Sequence, residues 1–380
     1  MAVSTGCAVW FENRGRAFTA PVALLWILGA LTQVTCAPAF ADNDFIWGVG
    51  THALWTSRDG FVLSELLAVG ARSFRDDLFW SSVEQERGVY KFPEKWDNAL
   101  AESDRSGIRP LLIIGYGNDL YGAPNGLASG RFVRAFAAYA GRVAARYKRF
   151  KPILEIWNEW TIDSPGAARQ YSELIRAAAA EIRNEDRSAV IIAGGFGPTS
   201  VNGALRMFVD AGGLDHIDGI SVHPYVHCER ERTPDGFLNL LVHMRAILAD
   251  RPTKPLYITE MGWPTHRGRC GVSEAVAADY LLEAYLIARC VPDVVGLWWY
   301  ELLDDGRNSA DIQQNFGIYT ADARPKRAQR TASVIGRRNS SISCIREISD
   351  GKESAEYSLG QTTPQSFAEI KETLRSEAER

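Results

Sequence analysis

Between about Phe45 and Ile335 the chain repeats one pattern eight times: a short apolar run, then a longer segment with apolar residues three and four positions apart. The short runs are strand candidates: Phe45–Gly50, Arg72–Asp77, Pro110–Gly115, Ile153–Asn158, Val190–Gly195, Asp218–His223, Leu256–Glu260 and Val294–Trp299. Several, such as those containing LLII and VII, lack the alternation of a half-exposed strand, as expected for parallel strands buried on both faces. The longer segments carry helical periodicity, most clearly over Arg131–Tyr147, Ala167–Arg183 and Ser273–Arg289. Shorter helical patterns cover Phe61–Val69, Glu94–Ser103, Ala204–Ala211 and Phe237–Leu248. Eight strand–helix units in roughly 290 residues have the size and rhythm of a closed (β/α)8 barrel, an α/β fold. A doubly wound open sheet would carry a glycine-rich phosphate loop after its first strand, and none is present. The Gly194-Gly195-Phe196-Gly197 run follows the fifth strand and reads as a tight turn.

The flanks of this region differ from it. Arg14 and Arg16 precede an uncharged run from Ala20 to Ala30, and Ala39-Phe40-Ala41 supplies small residues ahead of a cut before Asp42. This predicts an export signal over residues 1–41 and a periplasmic or extracellular mature protein. The apolar run is short for a bilayer span, so a retained anchor is the competing reading, and no other candidate span follows. The domain itself is expected over residues 42–336. Residues 337–380 are polar and serine-rich, and their composition predicts a disordered tail. If residues 364–379 form a helix, Phe367, Ile370 and Leu374 share one stripe of it. With a formal charge of −4 there is no electrostatic attraction to nucleic acid, and the expected state is a monomer. Of the four cysteines beyond the signal, Cys228 and Cys270 follow strands that neighbour each other in a barrel. They can pair in an oxidising compartment or remain free thiols. Cys290 reads as a buried thiol in a helix end.

In such barrels the reactive residues stand at the C-terminal ends of the strands. Strand four ends in Trp157-Asn158-Glu159-Trp160, and strand seven ends in Thr259-Glu260-Met261-Gly262-Trp263. Strand two ends in Arg75-Asp76-Asp77 with Trp80 beyond it, strand six in His223-Pro224-Tyr225, and strand eight in Trp298-Trp299-Tyr300-Glu301. Two carboxylates facing each other across the mouth can do opposite jobs on a glycosidic bond, one donating a proton and one attacking the anomeric carbon. Arg75 would keep a neighbouring carboxylate ionised, His223 and Tyr225 can donate hydrogen bonds to it, and the Asn158 amide can hold a sugar hydroxyl. The bland reading is an ion-pair network that stabilises the barrel top. Indole rings stack on apolar sugar faces, and Trp299, Trp263 and then Trp80 are the expected platforms, with Trp47, Trp157 and Trp298 in the core. His223, His227, Glu159 and Glu260 could supply metal ligands, but no metal-binding spacing such as HExxH is present, and neither metal nor cofactor is expected.

These residues resemble clan A of the glycoside hydrolases, barrels with the acid/base on strand four and the nucleophile on strand seven. EIWNEW (155–160) and YITEMGWPT (257–265) look like the two catalytic signatures; residues 72–97 resemble the clan's second strand, and HPY (223–225) its sixth. Residues 296–328 are similar to the closing segment of family 39-like enzymes, among them β-xylosidases and endo-acting hydrolases encoded with bacterial exopolysaccharide operons. The resemblance implies that Glu159 is the acid/base, Glu260 the nucleophile, and Arg75, Asn158, His223 and Tyr225 their support, with Trp299 beneath the sugar. It implies retention of anomeric configuration and a polysaccharide or oligosaccharide substrate. The chain departs from the family pattern at Trp160, where proline often follows, at Gln314 and at Arg327. The alternative from another class is a barrel that binds polysaccharide without cutting it, whose mark would be loss of one carboxylate.

Overall fold

The computed structural model describes residues 45–54, 61–122, 130–198, 203–249, 254–349, 352–360 and 364–380. The expected export signal lies outside them. No described helix is long and apolar enough to cross a membrane. Eight strands, β1 (Ile46–Gly50), β2 (Ser73–Phe79), β3 (Arg109–Gly115), β4 (Ile153–Ile156), β5 (Val190–Phe196), β6 (Gly219–Val222), β7 (Leu256–Met261) and β8 (Val294–Trp299), close into one barrel in sequence order. All neighbouring pairs are parallel, including the seam, where Ile46 pairs with Gly296 and Val49 with Trp299. The described helices are α1 (Phe61–Ala68), α2 (Trp80–Val83), α3 (Glu94–Arg105), α4 (Gly130–Tyr147), α5 (Pro165–Glu185), α6 (Ala204–Asp210), α7 (Pro234–Leu248), α8 (Glu274–Cys290), α9 (Arg327–Arg338) and α10 (Phe367–Glu379). The single (β/α)8 barrel expected from the sequence is therefore the fold.

Strand alternation explains what each face holds. Leu112, Leu154, Ile156, Ile191, Ile258 and Leu297 pack outward into the cluster shared with the helices. Their alternates Leu111, Ile153, Ile192, Tyr257 and Trp298 form a separate apolar cluster inside the barrel. A side chain at Gly48 would collide with the Trp298 ring, and one at Gly219 with Tyr257, so these glycines make room for the two bulky floor residues. Two residues further along their strands, the inward positions turn polar: Arg75 on β2, Glu155 on β4, Ser221 on β6 and Thr259 on β7, all buried. A dry floor thus supports a polar layer just below the mouth.

The region beyond Gly336 corrects an expectation. Over its described residues it is ordered: β9 (Ile342–Ser349) and β10 (Lys352–Leu359) form an antiparallel hairpin, and α10 follows. Composition suggested disorder because polar residues dominate, yet Ile370 and Leu374 bury completely, and a Ser366–Glu369 capping box starts the helix. Arg338 makes a two-pronged ion pair with Glu377 (2.9 and 3.1 Å), and Lys371 pairs with Glu283 of α8. Cys290 is also not a lone thiol. The hairpin brings Cys344 to the end of α8, and the two are bonded with Cα atoms 5.4 Å apart. Cys228 and Cys270 form the second disulfide, Cα atoms 5.0 Å apart, joining the loops after β6 and β7.

Candidate active site

Arg75 lies at the centre of the mouth, buried, with each nitrogen of its guanidinium committed. Nε donates to Glu155 Oε2 (2.7 Å), Nη1 to Glu260 Oε1 (2.6 Å) and Nη2 to Asn158 Oδ1 (2.8 Å). The last bond fixes the Asn158 amide so that its NH2 group is left for another acceptor. Tyr225 Oη donates to the second oxygen of Glu260 (2.9 Å). Burial works to raise the Glu260 carboxyl, but the charges of His223 and Arg75 and the bonds from Tyr225 and Arg75 outweigh it and hold it below the usual carboxylate range.

Glu159 stands in a contrasting place. Its side chain is 54 % exposed against 13 % for Glu260. It follows β4 on a backbone in which Trp157 (φ 65°) and Glu159 (φ 50°) both take the left-handed conformation that L-residues avoid. The end of β5 lies against it: a Cβ at Gly195 would come within 2.8 Å of the Glu159 backbone nitrogen. The first three residues of the GGFG run are thus not a free turn but the end of β5, whose pairing with β6 is irregular between Gly194 and Phe196.

His223 links the two carboxylates. Nδ1 is 2.8 Å from Glu159 Oε1 and 3.7 Å from Glu260 Oε2, and Nε2 is 3.0 Å from Thr259 Oγ1. Ser221 and Thr259 both donate toward Glu155 Oε1 (Thr259 Oγ1 at 3.4 Å), which leaves Thr259 Oγ1 able to accept from His223 Nε2–H. Nδ1 is then the ring nitrogen that faces Glu159, placed to share a proton with it. Glu155, Ser221 and Thr259 escaped the sequence reading because each is one polar letter in an apolar strand. Their only signal was the inward register they share with Arg75.

The three tryptophan platforms are corrected. Trp80, Trp263 and Trp299 are 0 %, 1 % and 1 % exposed. Alternation sends Trp299 to the helix-facing side with Leu297, where it meets Trp263 at 6.1 Å. Trp263 packs on Tyr280 of α8 and donates to the Arg232 carbonyl (2.8 Å); Trp80 stacks on Tyr139 of α4 and donates to Glu84 (2.6 Å). The aromatic walls of the cleft are instead Tyr116, Tyr300 and Phe316 around a cavity of about 370 Å³ that holds both carboxylates. His52, Asp76 and Asp77 line the same cavity. Burial and the neighbouring Asp77 push Asp76 up to about 7, and burial raises Asp77, whose carboxylate accepts from Tyr116 Oη (2.9 Å). Another cavity of about 500 Å³ opens between α1 and α3 and shares none of these lining residues. Among the described residues, two groups could present metal ligands: Glu159 with His223 and Glu260, and His52 with Glu301 and Asp305.

No protein-family model and no curated protein matches the sequence. Solved structures do. A family 39 glycoside hydrolase from Bacteroides cellulosilyticus aligns with TM-score 0.68 at 22 % identity, over 85 % of this chain and 72 % of that one. A family 5 subfamily 18 enzyme from Streptomyces cattleya, solved with GlcNAc, aligns at 0.64 and 16 % identity over 78 % and 80 % of the two chains. The exo-β-1,4-mannosidase of an Opitutaceae bacterium aligns at 0.61 and 18 % identity, over 77 % of this chain and 59 % of its own. The fold of this chain is therefore one it has in common with glycoside hydrolases of more than one family.

Proposed function

We propose that the protein is a retaining glycoside hydrolase in which Glu159 is the acid/base and Glu260 the nucleophile. The observation that carries this reading is the approach of a Glu159 oxygen and a Glu260 oxygen to within 4.8 Å. Retaining enzymes set their carboxyl groups about 5–5.5 Å apart, whereas inverting ones leave about 6.5–9.5 Å for a water. Glu260, held ionised by Arg75 and Tyr225, attacks the anomeric carbon. The bond to the leaving oxygen breaks, its electron pair stays on that oxygen, and Glu159 supplies the proton. In the second half Glu159 takes a proton from water, the hydroxide attacks the anomeric carbon, and Glu260 leaves as carboxylate. The free Asn158 NH2 suits the sugar 2-hydroxyl, and the half-buried Tyr116 and Tyr300 take the stacking role first given to tryptophan. The substrate class is a polysaccharide or oligosaccharide, an exopolysaccharide by the resemblance at 296–328, met by an exported monomer without nucleic-acid partner or cofactor.

The test is hydrolysis of a panel of aryl glycosides and bacterial and plant polysaccharides by the mature protein. Glu159→Gln is expected to lower kcat about 10²–10⁴-fold, with Glu260→Gln at least as severe. A 2-fluoro glycoside should label Glu260. Variants that turn over like wild type would refute these two roles, binding without hydrolysis by wild type would leave a polysaccharide-binding barrel instead, and a label on another residue would reassign the nucleophile.

A further inference from the structure

A second cavity, of about 490 Å³, meets the first at Glu159 and Tyr225. It is also lined by His223, but not by Glu260, Arg75 or Asn158. The acid/base therefore belongs to both cavities and the nucleophile to one alone. Given the proposed mechanism, on which this inference rests, the ring attacked by Glu260 lies in the first cavity and whatever Glu159 protonates lies in the second.

That second cavity is shaped like a built site. Trp160, the residue that departs from the family pattern immediately after the acid/base, lines it and is half-buried. Its indole lies parallel to the Tyr171 ring (5.4 Å, 4°) and edge-on to Trp157 (4.9 Å, 67°). Tyr171 is itself locked, donating to the Ile156 carbonyl (2.7 Å) and accepting from Gly194 N–H (3.0 Å). The part of the indole left open is thus held in one orientation before any ligand arrives. Gly194, Gly195 and Gly197, at and just past the end of β5, line the same cavity. Exposed Thr161 and Asp163 at the same wall offer partners for hydroxyls. A volume of this order, within the roughly 300–1,000 Å³ of small-molecule sites, exceeds what a simple alcohol would need.

We propose that this cavity is a binding subsite for the leaving sugar, with Trp160 as its stacking platform, so that the substrate is a carbohydrate chain continuing past the cleaved bond. Stacking on a preorganised indole lowers the free energy of a bound pyranose without depending on which hydroxyls it carries. A nitrophenyl leaving group has no second sugar ring to place there.

The experiment compares kcat/KM of wild type, Trp160→Ala and Trp160→Phe on xylo-, cello- and mannohexaose with kcat/KM on the nitrophenyl glycoside of the same sugar. For the hexasaccharide that wild type cleaves best, the ratio of the two values is expected to fall about tenfold or more in Trp160→Ala and less in Trp160→Phe. In the Glu260→Gln background, Trp160→Ala should weaken hexasaccharide binding, measured calorimetrically, by a similar factor. A ratio that stays within about twofold while both activities fall assigns Trp160 a structural role and overturns the subsite. Trp160→Phe carries the comparison if the alanine variant does not fold. Wild type that cleaves nitrophenyl glycosides but no hexasaccharide also overturns the subsite. Cleavage of neither class overturns the glycosidase reading itself.

Discussion

Arg75 serves three acceptors at once, and the sharing sets what each of them can do. Its charge helps to keep Glu260 ionised, its Nη2 orients Asn158, and its Nε is balanced by the buried Glu155. Tyr225 adds the one bond to Glu260 that can be removed without disturbing the other two. The nucleophile's folded value lies below its ordinary one, so the activity it supports is present above that value and lost as pH falls through it. Tyr225→Phe takes away a lowering influence, and the acidic limb of kcat/KM should move to higher pH. Loss of a hydrogen bond to a charged group should also lower kcat/KM about 10- to 100-fold at the optimum. A limb that stays in place, measured across pH 3–7, would show that Tyr225 does not act on Glu260. These residues were legible because they stand at strand ends among tryptophans and an HPY motif. Glu155 was not, since only the inward register of ILEI distinguishes it from a surface charge.

At the scale of elements, the position of Glu159 depends on how β5 meets the end of β4. Gly195 has φ +69°, and a Cβ there would also come within 3.2 Å of the Glu159 Cγ and of His223 Cε1. Gly107, after α3, has nearly the same angle (φ +71°) with nothing within 4 Å of its missing Cβ. Gly107→Ala should therefore show the backbone strain alone, about 1 kcal/mol of stability with activity retained. Gly195→Ala should cost about 1–3 kcal/mol and, by displacing the acid/base, about 10²-fold in kcat. Urea unfolding and steady-state rates on both variants separate the two costs, and equal losses of activity would refute the contact. The sequence carried the strands well because buried parallel strands are plain apolar runs. It carried the tryptophans badly because a residue past a strand end, such as Trp263 or Trp80, takes its direction from the helix it meets.

The C-terminal hairpin and α10 make the molecule more than its barrel. They cover α8 and α9, and the Cys290–Cys344 bond spans a sequence separation of 54 residues. A loop of that length corresponds to about 4 kcal/mol of unfolded-state restriction. Replacing both cysteines by serine should lower Tm by several degrees while kcat/KM stays within about twofold, since neither residue touches the cleft. A fall in activity at a temperature where the variant is folded would connect the appendage to the mouth. This layer was illegible in composition because few apolar residues hold it, and their burial depends on docking across the chain rather than on local pattern. Asn339 reaches back from beyond α9 to the Phe45 carbonyl (2.9 Å), just ahead of β1. Together with the β1–β8 seam, this means that the first strand to emerge during synthesis finds its second neighbour only when the eighth has appeared. Such distant pairings make closure the slow event in folding. The early strands must wait with their edges open, so chaperone demand during biogenesis should be set by the time until Trp299 is available rather than by the stability of the finished barrel.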